Sequence, residues 1–214
     1  MNTTDIAERL LATARAMSAQ GLNRGTAGNA SVRLDDGALV ITPSGLPFDR
    51  CEAADMVVLD ADGRMRGRRK ASSEWRIHYD IYRARPDVGA ILHAHPPFAT
   101  ALACHRRPIP AFHYMIARFG GADVRCADYH TFGSQALSNA ALVALHDRSA
   151  CLLANHGMVV AGRDLDHTLA LAVEFEALCQ HYLLACQLGQ PVLLDGADMD
   201  EVLDRFGSYG QQPG

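Results

Sequence analysis

Three histidines and one glutamate carry the chemistry this sequence offers. His93-Ala94-His95 closes the apolar run Val88-Gly89-Ala90-Ile91-Leu92 and is followed by Pro96-Pro97. Residues two apart on a β-strand point to the same face, so the pair aims two imidazoles at one point. The prolines end the strand. A third histidine, His156, follows Leu152-Leu153-Ala154-Asn155 and precedes Gly157, at the end of a second expected strand. Three imidazoles gathered on one side of a metal leave positions open for water or substrate, as a catalytic zinc requires. Zinc is the first choice for such a set, and other divalent metals also bind it.

Glu74 follows Ser72-Ser73 at an expected helix start, where the helix dipole favours a carboxylate. Beside a metal it would serve as a fourth ligand or as a base, the arrangement that removes a proton α to a carbonyl. Three turns of small residues, Gly28-Asn29, Ser44-Gly45 and Ser72-Ser73, offer backbone N–H groups and hydroxyls that together suit a phosphate. The remaining histidines, His78 among them, lack partner spacing and are expected to be non-ligands.

The elements that must position these groups follow from pattern. Asp5 to Ala19 reads as a helix ended by Gly21, with apolar residues at Ile6, Leu10, Ala14 and Met17. Ala30–Leu34 and Ala38–Thr42 read as a hairpin turned by Asp35-Asp36-Gly37, and Met56 to Leu59 with Asp62-Gly63 suggests another. Helices are expected from Glu74 to about Arg85, with Trp75, His78 and Tyr82 on one face, and over 98–104, 111–119, 134–145 and 166–188. Strands and helices interleave throughout, which predicts one α/β domain over residues 1–214, with the tail from about Gly207 loosely held.

Composition bounds the rest. The chain has 214 residues, 49% hydrophobic and 21% charged, with a net charge of −4. That balance gives no general reason to bind nucleic acid or an anionic membrane. The basic run Arg64-Met65-Arg66-Gly67-Arg68-Arg69-Lys70 lacks interleaved aromatics and reads as a solvated hairpin face. No run is expected to reach transmembrane length, and the N-terminus does not read as a signal peptide. Six scattered cysteines without a Cys-x-x-Cys pair fit reduced thiols in a cytoplasmic protein.

At this point the chain resembles the class II aldolase/adducin-head family over essentially its whole length. The resemblance runs through Gly25-Thr26-Ala27-Gly28-Asn29, Thr42-Pro43-Ser44-Gly45, Ser72-Ser73-Glu74-Trp75-Arg76, His93-Ala94-His95 and Asn155-His156-Gly157. His113-Tyr114-Met115 and the tail with Tyr209 resemble its fuculose-phosphate branch, in which threonine is common where Ser44 stands. The resemblance implies a three-layer α/β/α fold around a mixed, largely antiparallel sheet, and a homotetramer with active sites at subunit interfaces. It implies zinc on His93, His95 and His156, with Glu74 as a resting ligand that leaves to act as acid and base. Gly28, Asn29, Ser44, Gly45, Ser72 and Ser73 would hold a substrate phosphate. Tyr114 would reach a reacting hydroxyl across the interface, and Tyr209 would cover the site.

The implied reaction is reversible cleavage of a ketose 1-phosphate, L-fuculose 1-phosphate first, to dihydroxyacetone phosphate and an aldehyde such as L-lactaldehyde. The alternatives are 5-deoxyribulose or methylthioribulose 1-phosphate as substrate. Further ones are a pentulose-phosphate 4-epimerase or dehydratase, or a non-catalytic adducin-head-like interaction protein.

Overall fold

Strands whose residues are apolar on both faces need cover on both faces. The computed structural model, which describes residues 3–208, meets that need with helices above and below one sheet. In chain order the elements are α1 (Thr3–Ala19), β1 (Asn29–Arg33), β2 (Leu39–Ile41), β3 (Val57–Leu59), β4 (Met65–Arg66), α2 (Trp75–Ala84), β5 (Ala90–Ala94), α3 (Pro97–Ala103), β6 (Cys126–Ala127), α4 (Gln135–Ala144), β7 (Ala150–Leu153), β8 (Gly157–Gly162), α5 (Leu165–Gln187) and α6 (Gly196–Ser208). The sheet order is β4-β3-β2-β1-β5-β8-β7-β6. Every neighbouring pair is antiparallel except β6 and β7. The expected three-layer α/β/α fold with a mixed, largely antiparallel sheet is the one observed.

The period-2 alternation sorts the core into two halves. Ala90, Leu92 and Ala94 of β5 join Met158 and Val160 of β8 under α1, α3 and α5. Ile91 faces the other way, with Val159 and Ala161, toward α2 and α4. By the same parity His93 lies on the α2 side of the sheet. Asn29 and Ser31 of β1 share that side, because β1 pairs with β5 in the register Asn29↔His93 and Ser31↔Ile91. The C-terminal end of β5, the N-terminal end of β1 and the turn between β7 and β8 therefore meet at one edge of the sheet.

Several boundaries differ from the sequence reading. His156 stands in the tight turn between β7 and β8, whose register Leu153↔Gly157 leaves only Ala154, Asn155 and His156 to reverse the chain. Asn155 takes the left-handed conformation there (φ 53°), which asparagine tolerates better than most residues. The stretch expected as a helix over 111–119 is bent as far as His113 and then a 3₁₀ segment, Tyr114–Phe119, ended by Gly120 at φ 94°. Short β6 and all of α6 were not foreseen. α6 carries Gly207 and Ser208, so the chain is still helical where a loose tail was expected. Tyr209 lies outside the described residues.

α5 is long and apolar enough to cross a membrane by length and composition, contrary to the sequence reading. Here it buries Leu171, Ala172, Phe175, Leu178 and Cys179 against the core. Its Glu176 carboxylate accepts the Phe98 and Ala99 N–H groups at 2.8 Å each, capping α3, which Pro96 leaves without a side-chain cap. In the basic run, Arg64, Arg66, Arg68 and Arg69 are ion-paired with Asp62, Asp60, Glu52 and Asp55. All six cysteines are free.

Candidate active site

β5 delivers His93 at its penultimate residue and His95 just past its end. The β7–β8 turn brings His156 alongside, which requires a glycine next to it. A Cβ on Gly157 would lie 2.4 Å from the Ala94 carbonyl oxygen and 2.6 Å from His95 Cδ2. Glu74 is the N-cap residue of α2, not its first turn, and its side chain makes no capping bond. The carboxylate is thus free to turn into the histidines. One candidate ligand atom from each of Glu74, His93, His95 and His156 lies within 4.8 Å of all the others.

The proton inventory shows what this cluster suits. His93 donates Nδ1–H to the Met158 carbonyl (2.9 Å), which turns Nε2 toward the cluster. That nitrogen is 2.9 Å from His95 Nε2 and 3.0 Å from Glu74 Oε2. Glu74 Oε1 is buried, 3.3 Å from His156 Nε2, and lacks a hydrogen-bond partner among the described residues. Once His93 gives up the proton it shares with Glu74, the lone pairs of three imidazoles and a carboxylate converge on one point, an arrangement that suits a cation. Nitrogen and oxygen donors in this number match zinc and its divalent neighbours. The residues fit a divalent metal, and the Met158 carbonyl fixes the tautomer of His93, as metal-binding histidines commonly require.

Burial pushes the Glu74 carboxyl up, but the imidazoles around it, His93 foremost, hold it below the usual carboxylate range. Burial pulls His93 down, and the Glu74 charge more than offsets this, so His93 keeps its proton above the ordinary value. Burial and neighbouring His93 bring His95 and His156 down to about 4. Metal binding must therefore displace roughly one proton, from His93, until the pH approaches 4. Metal affinity is expected to fall about tenfold per pH unit below the His93 pKa and more steeply below about pH 4, as all three histidines take protons. Competition with a metal-indicator dye from pH 8 to pH 4 measures that slope. A flat profile down to pH 4 would contradict it.

A cleft of about 400 Å³ opens beside the cluster, lined by Glu74, His95 and His156. Gly28, Asn29, Ser44, Gly45, Ser72 and Ser73 line the same cleft. The three small-residue turns, far apart in sequence, are thus brought together. Gly28 has φ 75°, and a Cβ there would meet the Asn23 amide at 2.3 Å. Tyr129 and Phe132 add an aromatic wall that sequence reasoning did not assign. Tyr114 does not line this cleft. It is half exposed on the 3₁₀ segment, stacked on His113 (4.9 Å between ring centroids) and facing Phe206 (6.5 Å).

Comparison with known proteins agrees with the geometry. A family model described as "Class II Aldolase and Adducin N-terminal domain" matches residues 8–183. The chain is 52% identical over 201 residues to a 5-methylthioribulose-1-phosphate/5-deoxyribulose-1-phosphate aldolase of Rhodospirillum rubrum, covering 94% of this chain and 90% of that one. It is 41% identical over 211 residues to the L-fuculose phosphate aldolase of Escherichia coli O6:H1, covering 98% of each. A solved structure of an L-fuculose 1-phosphate aldolase superposes with a TM-score of 0.93 at 39% identity, covering 97% of this chain and 98% of that one.

Proposed function

The chain belongs to the class II aldolase and adducin N-terminal domain family and is a class II aldolase, and from that premise we propose that it cleaves a 5-deoxyribulose-type ketose 1-phosphate, with 5-methylthioribulose 1-phosphate or 5-deoxyribulose 1-phosphate ahead of L-fuculose 1-phosphate. The products are dihydroxyacetone phosphate and a short aldehyde. The observation that carries the reaction is the convergence of Glu74 and three histidines beside a cleft with hydroxyl and glycine turns in its wall. The order of substrates rests on identity, 52% against 41%. L-fuculose 1-phosphate, placed first on sequence, gives way to the alternative on that ground. The Tyr129–Phe132 wall is also suited to an apolar end such as a methyl or methylthio group.

His93, His95, His156 and Glu74 would hold the metal, which we assign as zinc. Bound there it supplies Lewis-acid polarisation of the ketose carbonyl and stabilises the negative charge that develops as the C3–C4 bond breaks. Gly28, Asn29, Ser44, Gly45, Ser72 and Ser73 anchor the phosphate through N–H and hydroxyl donors. Glu74, kept ionised by its surroundings, takes a proton from the hydroxymethyl carbon of dihydroxyacetone phosphate in the condensation direction. It returns that proton to carbon in cleavage.

Tyr114, absent from its own chain's cleft and half exposed, is assigned to the cleft of a neighbouring subunit, where it takes the C4 hydroxyl proton. The assembly proposed is a ring-symmetric homotetramer in the cytoplasm, and Tyr209 is assigned to covering the loaded site. Mixing inactive Glu74→Gln and inactive Tyr114→Phe subunits is then expected to restore activity. A fully alternating ring would regain about half of wild-type activity, because one interface in two joins an intact Glu74 to an intact Tyr114. No recovery after subunit exchange would remove Tyr114 from the neighbouring subunit's site.

The substrate assignment is tested by kcat/KM for 5-methylthioribulose, 5-deoxyribulose and L-fuculose 1-phosphates on the metal-loaded protein. The expected result is at least about tenfold preference, roughly 1.4 kcal/mol, for one of the first two. A preference of that size for L-fuculose 1-phosphate would return the enzyme to the fuculose branch.

A further inference from the structure

Behind the metal cluster a chain of buried side chains runs from α2 into β1 and back to Glu74. Tyr82 Oη lies 2.9 Å from Ser31 Oγ, and Ser31 Oγ lies 2.7 Å from His78 Nδ1. His78 Nε2 lies 2.5 Å from Asn29 Oδ1, and Asn29 Nδ2 donates to Glu74 Oε2 at 3.2 Å. His78 and Ser31 are fully buried, and Asn29 is 3% exposed. Glu74, His78 and Tyr82 recur at four-residue intervals on one face of α2. That face meets Asn29 and Ser31, which share one face of β1.

One acceptor orients every proton in this chain. The ionised Glu74 oxygen can only accept, so Asn29 must present its NH₂ there and turn its carbonyl oxygen to His78. Nε2 of His78 must then carry the ring's hydrogen, Nδ1 must accept, and Ser31 must donate to it. Ser31 Oγ is left to accept the Tyr82 hydroxyl. Burial supports this by keeping the imidazole neutral, its pKa lowered to about 3. The reverse arrangement, with Nδ1–H, would turn the Asn29 oxygen against a carboxylate oxygen.

We infer that His78 is a positioning residue for the aldolase, locking the Asn29 amide with its NH₂ toward Glu74 so that the carboxylate stays aimed as it exchanges a proton with the substrate carbon. This rests on the reading of Glu74 as the acid and base. Without the His78 N–H, the Asn29 amide is free to turn its oxygen toward the cleft, and Glu74 Oε2 loses its Asn29 donor.

Steady-state kinetics and metal content of His78→Leu and His78→Gln test this together with ring ¹⁵N NMR of His78. His78→Leu is expected to lose about 10- to 100-fold in kcat, the scale of other groups that orient a metal-site residue. KM should shift by no more than about threefold because the serine and glycine donors remain, and metal should stay bound. His78→Gln keeps an N–H in reach of Asn29 and should recover most of kcat. In an Asn29→Ala background His78→Leu should cost nothing further in kcat while still lowering stability, the non-additivity expected of one linked unit. Ser31→Ala, a smaller perturbation of the same chain, should lower kcat in part if the leucine variant fails to fold.

NMR should show a neutral Nε2–H ring. An Nδ1–H tautomer, equal losses in the leucine and glutamine variants, or losses that multiply in the Asn29→Ala background would overturn the inference. Full activity of Glu74→Gln would overturn the Glu74 reading instead. A dead Glu74→Gln beside a fully active His78→Leu would overturn the His78 role alone.

Discussion

Glu74→Gln is expected to leave the fold and the bound metal in place and to lower kcat by about 10³-fold, within the range for removing a general acid–base group. Glutamine is nearly isosteric, so the buried N-cap position of α2 is filled without a clash. His93, His95 and His156 remain as three nitrogen ligands, and the amide oxygen can still face the cluster. The amide cannot take a proton from carbon at neutral pH. Metal content, the thermal melt and turnover measured on one preparation separate these effects. Loss of kcat with stoichiometric metal fits a base, whereas loss of kcat in step with metal would make Glu74 a ligand only. Solvent deuterium exchange into dihydroxyacetone phosphate gives a second readout, because the variant should fail to exchange the hydroxymethyl proton.

His156→Ala is expected to weaken metal binding by roughly 100- to 1,000-fold, about one ligand's share of a typical site's binding free energy. Turnover at limiting metal should disappear with it. This histidine is the best of the three for the purpose. It stands in the β7–β8 turn with its side chain 14% exposed, whereas His93 is fully buried between sheet and helix. Truncating it leaves a dent at the cleft surface, and the metal-free protein should melt within a few degrees of the parent. Truncating His93 would add a core cavity and confuse folding with ligation. Equilibrium dialysis against zinc, with melting curves of both metal-free proteins, checks the expectation. Stoichiometric zinc at unchanged affinity would remove His156 from the ligand set.

That His93, His95 and His156 meet is legible because the signal is local. Two residues apart at the end of an apolar strand have one geometry, and an isolated histidine beside a glycine marks a close approach. That His156 sits in a turn was not legible, because the turn is set by the pairing of Leu153 with Gly157. Glu74 was read as ordinary first-turn charge or as catalytic. Only the fold shows its carboxylate unused by the helix end and turned inward.

Nothing in the local spacing of His78 marks it as part of the site. Its partners Ser31 and Asn29 lie 47 and 49 residues away, joined to it only by packing α2 on β1. Half the signal was present as the polar face Glu74-His78-Tyr82 of α2, but nothing local says what that face meets. The pattern over 111–119 extends a helix too far back, because Phe112 closes a tight turn onto Pro110 and His113 Nδ1 accepts the Met115 N–H. α6 was missed although it opens with a reciprocal pair. Asp198 N–H donates to Asp195, and Asp195 N–H donates to Asp198. That pattern marks a helix start and precedes the buried Met199.

A metal held by the Glu74–His93–His95–His156 cluster is what would make the aldolase reaction metal-dependent. The most direct test is dihydroxyacetone phosphate release from 5-deoxyribulose 1-phosphate by protein stripped with a chelator and then reloaded with zinc. No release is expected from the stripped protein, and full recovery at one zinc per chain. Unchanged release from protein shown to be free of metal would contradict that dependence.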